Sequence, residues 1–262
     1  MIGETIAAIV SGAAVGFTLG LVGGGGSVLA TPLLLYVVGV RDAHVALGTG
    51  AIAVSLNAFA NLFAHARAKN VWWRCAAIFA GIGAIGSLGG SSLGKLVDGQ
   101  KLLFLFGLVM LLAGALMLRP RKPADGPPRA VDGRMCAMTA AVALLTGAAS
   151  GFFGIGGGFL IVPAMILATG MPTINAVGSS LFAVGVFGMA TALNYAISGL
   201  VDWPIAGLFI AGGAGGGVLG ALLAGRLSSN RNALGRILAV VIITVAFYVL
   251  ARSGAAIFHH AS

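Results

Sequence analysis

Long apolar runs alternate with short polar or charged breaks along the whole chain. Five runs fall in the first half, at about 5–22, 26–38, 45–66, 75–94 and 102–118, and five in the second, at about 135–153, 159–169, 174–198, 203–225 and 233–251. Eight are long enough to cross the ~30 Å hydrocarbon core as α-helices. The second run of each half is not: 13 and 11 residues cover only about 17–20 Å at ~1.5 Å per residue. These two read as half-helices or re-entrant arms. Joined to its predecessor as one straight helix, the first would make a rod of about 51 Å with glycines at its middle, so a hairpin turning at the glycines is the better reading. The pattern predicts an all-α polytopic membrane protein.

Composition agrees. Of 262 residues 59% are hydrophobic and 8% charged, with a mean hydropathy of +1.06, against about 25% charged in soluble domains. Such a chain cannot cover itself with water-compatible surface, and the lipid bilayer is its expected surroundings. Its 43 glycines follow no G-X-Y period, which leaves close helix packing or broken helices. Two cysteines, Cys75 and Cys136, form no CxxC or His/Cys cluster, so neither a metal nor a cofactor is expected. A net charge of +9 would suggest nucleic acid in a soluble protein. Here the basic residues lie between apolar runs, where the positive-inside rule accounts for them. The first residues, 1–4, lack a basic n-region, so the first run is expected to stay in the mature protein.

The chain is one unit written twice. GAAVGF at 12–17 recurs as GAASGF at 147–152; each is followed by glycines and then a proline, Pro32 or Pro163. Residues 46–73 and 176–203 share eight identities in 28 positions at an offset of 130, ending on Trp73 and Trp203, and Gly86 and Gly90 fall on Gly216 and Gly220. The Pro-rich, charged stretch divides the chain into repeats 1–119 and 135–262 with a linker 120–134. With five passes per half, one side receives Arg41, Lys95, Lys101 and Arg252 and the other the remaining 11 basic residues; with four passes the split is 6 against 9. Five passes satisfy the positive-inside rule better, put the linker in the cytoplasm and both termini outside, and make the two repeats inverted.

Candidate chemistry lies in three places. Gly23, Gly24, Gly25, Gly26 and Ser27, and Gly156, Gly157 and Gly158, interrupt apolar runs and open short helices, whose N-termini carry about half a positive charge. Two such ends converging near the midplane would form an anion site without a buried cation. The third run of each half is the most polar: Thr49, Ser55, Asn57, Asn61 and His65 in the first; Ser179, Ser180, Thr191, Asn194 and Tyr195 in the second, where Tyr195 matches His65. Asn57, Asn61 and His65 share a helical face. Small-residue ladders, Gly86-Gly90-Gly94 and Gly212-Gly216-Gly220, suit close helix contact, and with Pro32 and Pro163 are candidate hinges. GGSSLGK at 89–95 imitates a Walker A loop, but Leu96 stands where magnesium needs Ser or Thr, and no strand precedes it. No carboxylate falls within a run, which argues against proton coupling.

These features resemble the TauE/SafE (TSUP) sulfite exporter family over nearly the whole chain. The resemblance rests on GGGGSVLATPLL and GIGGGFLIVPAM, and on the 48–73 and 178–203 segments, which look like the family's GTSL-type helix ending in an H/Y-x-x-x-G-x-V-D-W element. Gly50, Lys69 and Trp72 depart from it, standing where the first repeat usually has Ser, Gly and Asp. The resemblance implies a non-enzymatic transporter of small sulfur-containing anions, such as sulfite, sulfoacetate or related sulfonates, in the bacterial inner membrane; export is the expected direction because an anion gains energy on leaving an inside-negative cell. The residues themselves also leave open a passive anion channel, a membrane partner in a sulfur relay, and a homo-oligomer.

Overall fold

The computed structural model describes residues 2–118, 133–154, 158–226 and 231–260. The linker 120–134, apart from its last two residues, and Gly156 and Gly157 lie outside them. Among the described residues there is no strand. The helices are α1 (Ile2–Val22), α2 (Ala30–Leu33), α3 (Ala43–Arg67), α4 (Trp73–Leu96), α5 (Gly99–Leu118), α6 (Gly133–Phe152), α7 (Gly158–Thr169), α8 (Thr173–Ile197), α9 (Trp203–Arg226) and α10 (Arg231–His260). Five of them contain stretches long and apolar enough to cross a membrane: Gly3–Leu21, Ala43–Arg67, Trp73–Leu96, Ile174–Ile197 and Trp203–Leu223.

Local chemistry sets the helix ends. Asp42 opens α3 by accepting from His44 N at 2.7 Å and Val45 N at 3.1 Å, Asp98 opens α5 by accepting from Gln100 N, and Asp202 caps α9 through Ile205 N, each satisfying amides that a helix start leaves without partners. At the other end, Asn70 N donates to His65 O and Lys69 N to Ala66 O. Leu200 N and Gly199 N donate to Tyr195 O and Ala196 O in the same way, so α3 and α8 both end in a Schellman turn.

The short second run of the first half is a composite. A 3-10 helix, Gly23–Leu29, leads into α2, and a π-helical turn, Leu34–Val38, follows. Pro32 removes a donor from the helical ladder, and three hydrogen-bonding periods succeed one another around it. The 3-10 part rises ~2.0 Å per residue, so the 16 residues span up to about 27 Å, further than the apolar run alone suggests. Val38 and Glu4 line one cavity, and Gly26 packs on Thr18 and Leu19. The segment therefore folds back along α1 as a hairpin.

The repeats are visible in the backbone. Left-handed residues come in pairs: Gly23 with Gly154, Gly39 with Gly170, and Lys69 with Gly199. The first two pairs and Pro32/Pro163 stand 131 apart and the third 130. Contacts repeat at the same offsets. Asp202 N donates to Thr49 Oγ1 at 2.9 Å and Trp72 N to Ser179 Oγ at 3.0 Å, while Gly48 abuts Leu200 O and Gly178 abuts Asn70 O. The matching motifs GAAVGF and GAASGF, at an offset of 135, are displaced by one helical turn: in space Gly16 corresponds to Gly147 and Gly20 to Gly151.

The halves interlock. The first helix of each half lies along the fourth helix of the other, α1 with α9 and α6 with α4. A Cβ on Gly12, Gly16 or Gly20 would strike α9 backbone at Phe209, Gly213 or Gly217; on Gly212, Gly216 or Gly220 it would strike Ile9, Ala13 or Phe17. Gly86, Gly90, Gly94, Gly147 and Gly151 do the same for α4 and α6. Numbers rise together along these pairs, so the helices are parallel. Along α3 and α8 they run oppositely: Gly48 meets Tyr195, Ser55 Oγ donates to Gly185 O at 2.6 Å, and Phe59 stacks edge-on to Phe182. Antiparallel third helices require the two halves to be inverted. Leu145, Leu219 and Leu222, each at least 63% exposed, form part of an apolar exterior that water would not tolerate but lipid does.

Candidate functional site

The polar residues of the third helices are placed by the α3–α8 crossing, and most are buried. Each plays a different part. Thr49 and Ser179 accept from the backbone of the loop that ends the partner helix, at opposite ends of the crossing. Ser55 bridges the crossing itself, and Ser180 Oγ donates to Val177 O at 2.8 Å. Asn61 Nδ2 donates back to Asn57 O at 2.9 Å.

Asn57 differs from these. It is fully buried against Gly213, and neither its Nδ2 nor its Oδ1 has a hydrogen-bond partner among the described residues. An unpaired amide costs roughly 1–3 kcal/mol in protein. Its spatial counterpart in the second half is Phe187, which packs on Gly83 as Asn57 packs on Gly213. Nothing in the symmetry of the fold demands an amide there. His65, also buried, lies one turn beyond Asn61, near the basic loop that carries Lys69.

Gly23 and Gly154, the left-handed residues at which the two glycine turns begin, are far apart. Gly23 rests on Val177, eight residues before Gly185, and Gly154 rests on Leu47, eight residues before Ser55. Since α3 and α8 are antiparallel, those contacts lie about 24 Å apart along the crossing. Gly23 and Gly154 are thus each seated on the third helix of the other half. Ser27 is buried in the 3-10 helix, which packs against α7. Gly24 and Gly25 continue that helix, and Gly158 opens α7. Pro32 and Pro163 lie inside their short helices.

Asn194 is committed elsewhere. Its Nδ2 donates to Ser91 Oγ at 2.7 Å and Ser92 Oγ at 2.9 Å, and its Oδ1 accepts from Lys95 Nζ at 2.8 Å. Ser87 Oγ, one turn earlier, bonds Phe187 O and Thr191 Oγ1. The tie between α4 and α8 is therefore polar and continuous. Sequence reasoning missed Ser87, Ser91, Ser92 and Lys95, three of which belong to the GGSSLGK stretch set aside as a nucleotide-loop imitation. It also missed Thr31, whose buried hydroxyl has no partner among the described residues and faces Gly50. A threonine directly before Pro32 was the available signal.

One cavity opens on the face that carries the start of α1. It measures about 560 Å³ and is lined by Glu4, Arg41, Asp42 and Asp202 among apolar residues. The opposite face carries Arg67, Lys69 and Arg74, with the Arg67 guanidinium 4.3 Å above the Phe63 ring. No group of metal-ligating side chains occurs among the described residues.

The sequence that folds this way has counterparts among known proteins. The sequence profile of the Sulfite exporter TauE/SafE family matches residues 8–249. The chain belongs to the TauE/SafE family. Two proteins named "Probable membrane transporter protein" are similar to it. One, from Xylella fastidiosa strain Temecula1, is 60% identical over 256 residues, covering 96% of this chain and 97% of the relative. The other, from strain 9a5c, is 60% identical over 253 residues with the same coverage. No solved structure gives a significant match. A TauE/SafE protein is a membrane transporter, which is not an enzyme class, and the five apolar spans fit that assignment.

Proposed function

We propose that the protein exports small sulfur-containing anions, of the sulfite or organosulfonate kind, across the bacterial cytoplasmic membrane by alternating access. The observation that carries this reading is the inversion of the two halves. When each half seats its glycine turn on the other half's third helix, exchanging the conformations of the halves converts a state open to one face into a state open to the other. On this reading the path runs along the α3–α8 crossing, past the glycine turns (Gly23–Gly26 with Ser27; Gly156–Gly158) and Thr49, Asn57, Asn61, His65, Ser179, Ser180, Asn194 and Tyr195. The glycine ladders and the two prolines act as the surfaces on which the halves move.

The proposed topology puts both termini outside and the linker 120–134 in the cytoplasm between repeats 1–119 and 135–262. Charge then favours export. Glu4, Asp42, Asp98 and Asp202 balance the four basic residues outside, whereas 11 basic residues face only Asp125 and Asp132 inside. An anion is drawn to the cytoplasmic face and gains about 2.3 kcal/mol per charge per 100 mV on leaving an inside-negative cell, so a monoanion needs no coupling ion. The partners are the anion, the bilayer and, in a homo-oligomer, further copies; nucleic acid has no part.

The test is the melting temperature of purified protein with sulfite, thiosulfate, sulfoacetate, taurine, sulfate and chloride, followed by flux in proteoliposomes. Selective stabilisation by one sulfur anion, with saturable flux and counterflow, is expected. Equal response to chloride would overturn the substrate, and unsaturable flux without counterflow would make the protein a channel.

A further inference from the structure

Lys95 closes α4 on the face that carries Arg41 and Leu200. Its ammonium donates to Asn194 Oδ1 at 2.8 Å, to the Asn194 carbonyl at 3.1 Å and to Ser198 Oγ at 2.8 Å, and lies 5.9 Å from the centre of the Tyr195 ring. These partners are all neutral. Asp98, the nearest acid in sequence, directs its Oδ1 to Gln100 N and Lys101 N. The charge of Lys95 is therefore held in place, at the edge of the membrane, with no acidic partner among the described residues.

Asn194 is what holds it. An ammonium only donates, so the amide oxygen must face Lys95, and Ser91 and Ser92 fix that orientation by accepting from Nδ2. The pseudo-twofold shows that the fold does not need this device. At the offset of 130, Lys95, Asn194, Ser91 and Ser92 correspond to Gly225, Ala64, Ala221 and Leu222, so the equivalent pair of helices at the other face carries no polar side chain at these four positions. Beneath the lysine, the buried Tyr195 hydroxyl has no partner among the described residues.

We propose that Lys95 is the anion-binding residue at this face, positioned by Asn194 and Ser198, and that the transported oxyanion displaces those neutral acceptors from the ammonium. The proposal rests on the reading of the protein as an anion transporter and adds to it a charged, one-sided site that receives the anion at the extracytoplasmic end of the path.

Equilibrium exchange of sulfite, with sulfoacetate and chloride in parallel, tests it in proteoliposomes, because exchange requires binding at both faces. Lys95→Met is expected to raise the half-saturating concentration at least tenfold and Lys95→Arg to restore most of it. The deciding variant is Asn194→Asp, which keeps an oxygen against Lys95 but adds the charge that cancels it. It should impair exchange as severely as Lys95→Met while melting no lower than wild type. Exchange left intact by Asn194→Asp overturns the proposal even where Lys95→Met fails to fold, and a Lys95→Arg variant that folds but regains no affinity overturns it as well. Wild-type protein that exchanges none of the anions overturns the functional reading and this site with it; wild-type exchange with unchanged variants overturns the site alone.

Discussion

Lys69 sits at φ +57, in the turn where its counterpart is Gly199 at φ +69. A side chain in the left-handed region costs about 1–2 kcal/mol, and the Schellman hydrogen bonds at the end of α3 hold the residue there regardless. Lys69→Gly relieves that strain and loses part of the gain to the freer unfolded chain. A net stabilisation of about 0.5–1 kcal/mol, a rise of roughly 2 °C in Tm, is expected; an unchanged or lower Tm in detergent would show that the lysine side chain contributes more than its backbone costs. The departure from the family pattern at Lys69 was visible in the sequence, but its conformation was not. Asn57 has the same character. Its helical face could be read from the spacing, whereas the absence of a partner among the described residues depends on α9 presenting Gly213 rather than a polar side chain opposite it.

At the scale of helices, glycine decides which surfaces meet. Gly16 and Gly90 lie where a Cβ would enter a neighbouring carbonyl, whereas Gly81, Gly89 and Gly215 have open space around the same position. Gly16→Leu should destabilise by at least the ~1–3 kcal/mol of an overpacked core, and Gly81→Leu should be neutral or gain up to about 1 kcal/mol from helix propensity. Melting temperatures of the two variants side by side check this; equal losses would mean that Gly81 also faces a partner. The ladders were legible as small-residue spacing. Their pairing was not, since α1 with α9 and α4 with α6 join residues far apart in sequence. The one-turn displacement of the GAAVGF and GAASGF match has the same origin: both stretches repeat glycine every four residues, so a shift of one turn matches nearly as well, and only contact with α9 and α4 selects the register.

At the scale of the molecule, the antiparallel contact of α3 with α8 carries the topology. Four passes per half would make these helices parallel; five make them antiparallel, as found. Residues 39–42, 97–98 and 198–202 then share one face, and 68–72 and 170–172 the other. In a background of Cys75→Ser and Cys136→Ser, Arg41→Cys and Gln100→Cys should react with a membrane-impermeant maleimide on intact cells, and Ala68→Cys and Pro172→Cys only after permeabilisation. Labelling of either loop pair from the wrong side would reverse or break the proposed orientation.

Hydropathy and charge were enough to establish an all-helical membrane protein of two inverted halves, because the cost of burying polar backbone and charge in lipid acts on each segment independently of its neighbours. Segment lengths, the glycine breaks and the side bearing most of the basic residues all follow from that one-dimensional constraint. What each polar side chain does could not follow from it. Asn194 is spent on Lys95 and two serines, Asn57 has no partner among the described residues, and Gly23 and Gly154 lie at opposite ends of the α3–α8 crossing. These outcomes depend on which helix from the other half packs opposite, and that is settled by the interlock of the repeats in three dimensions.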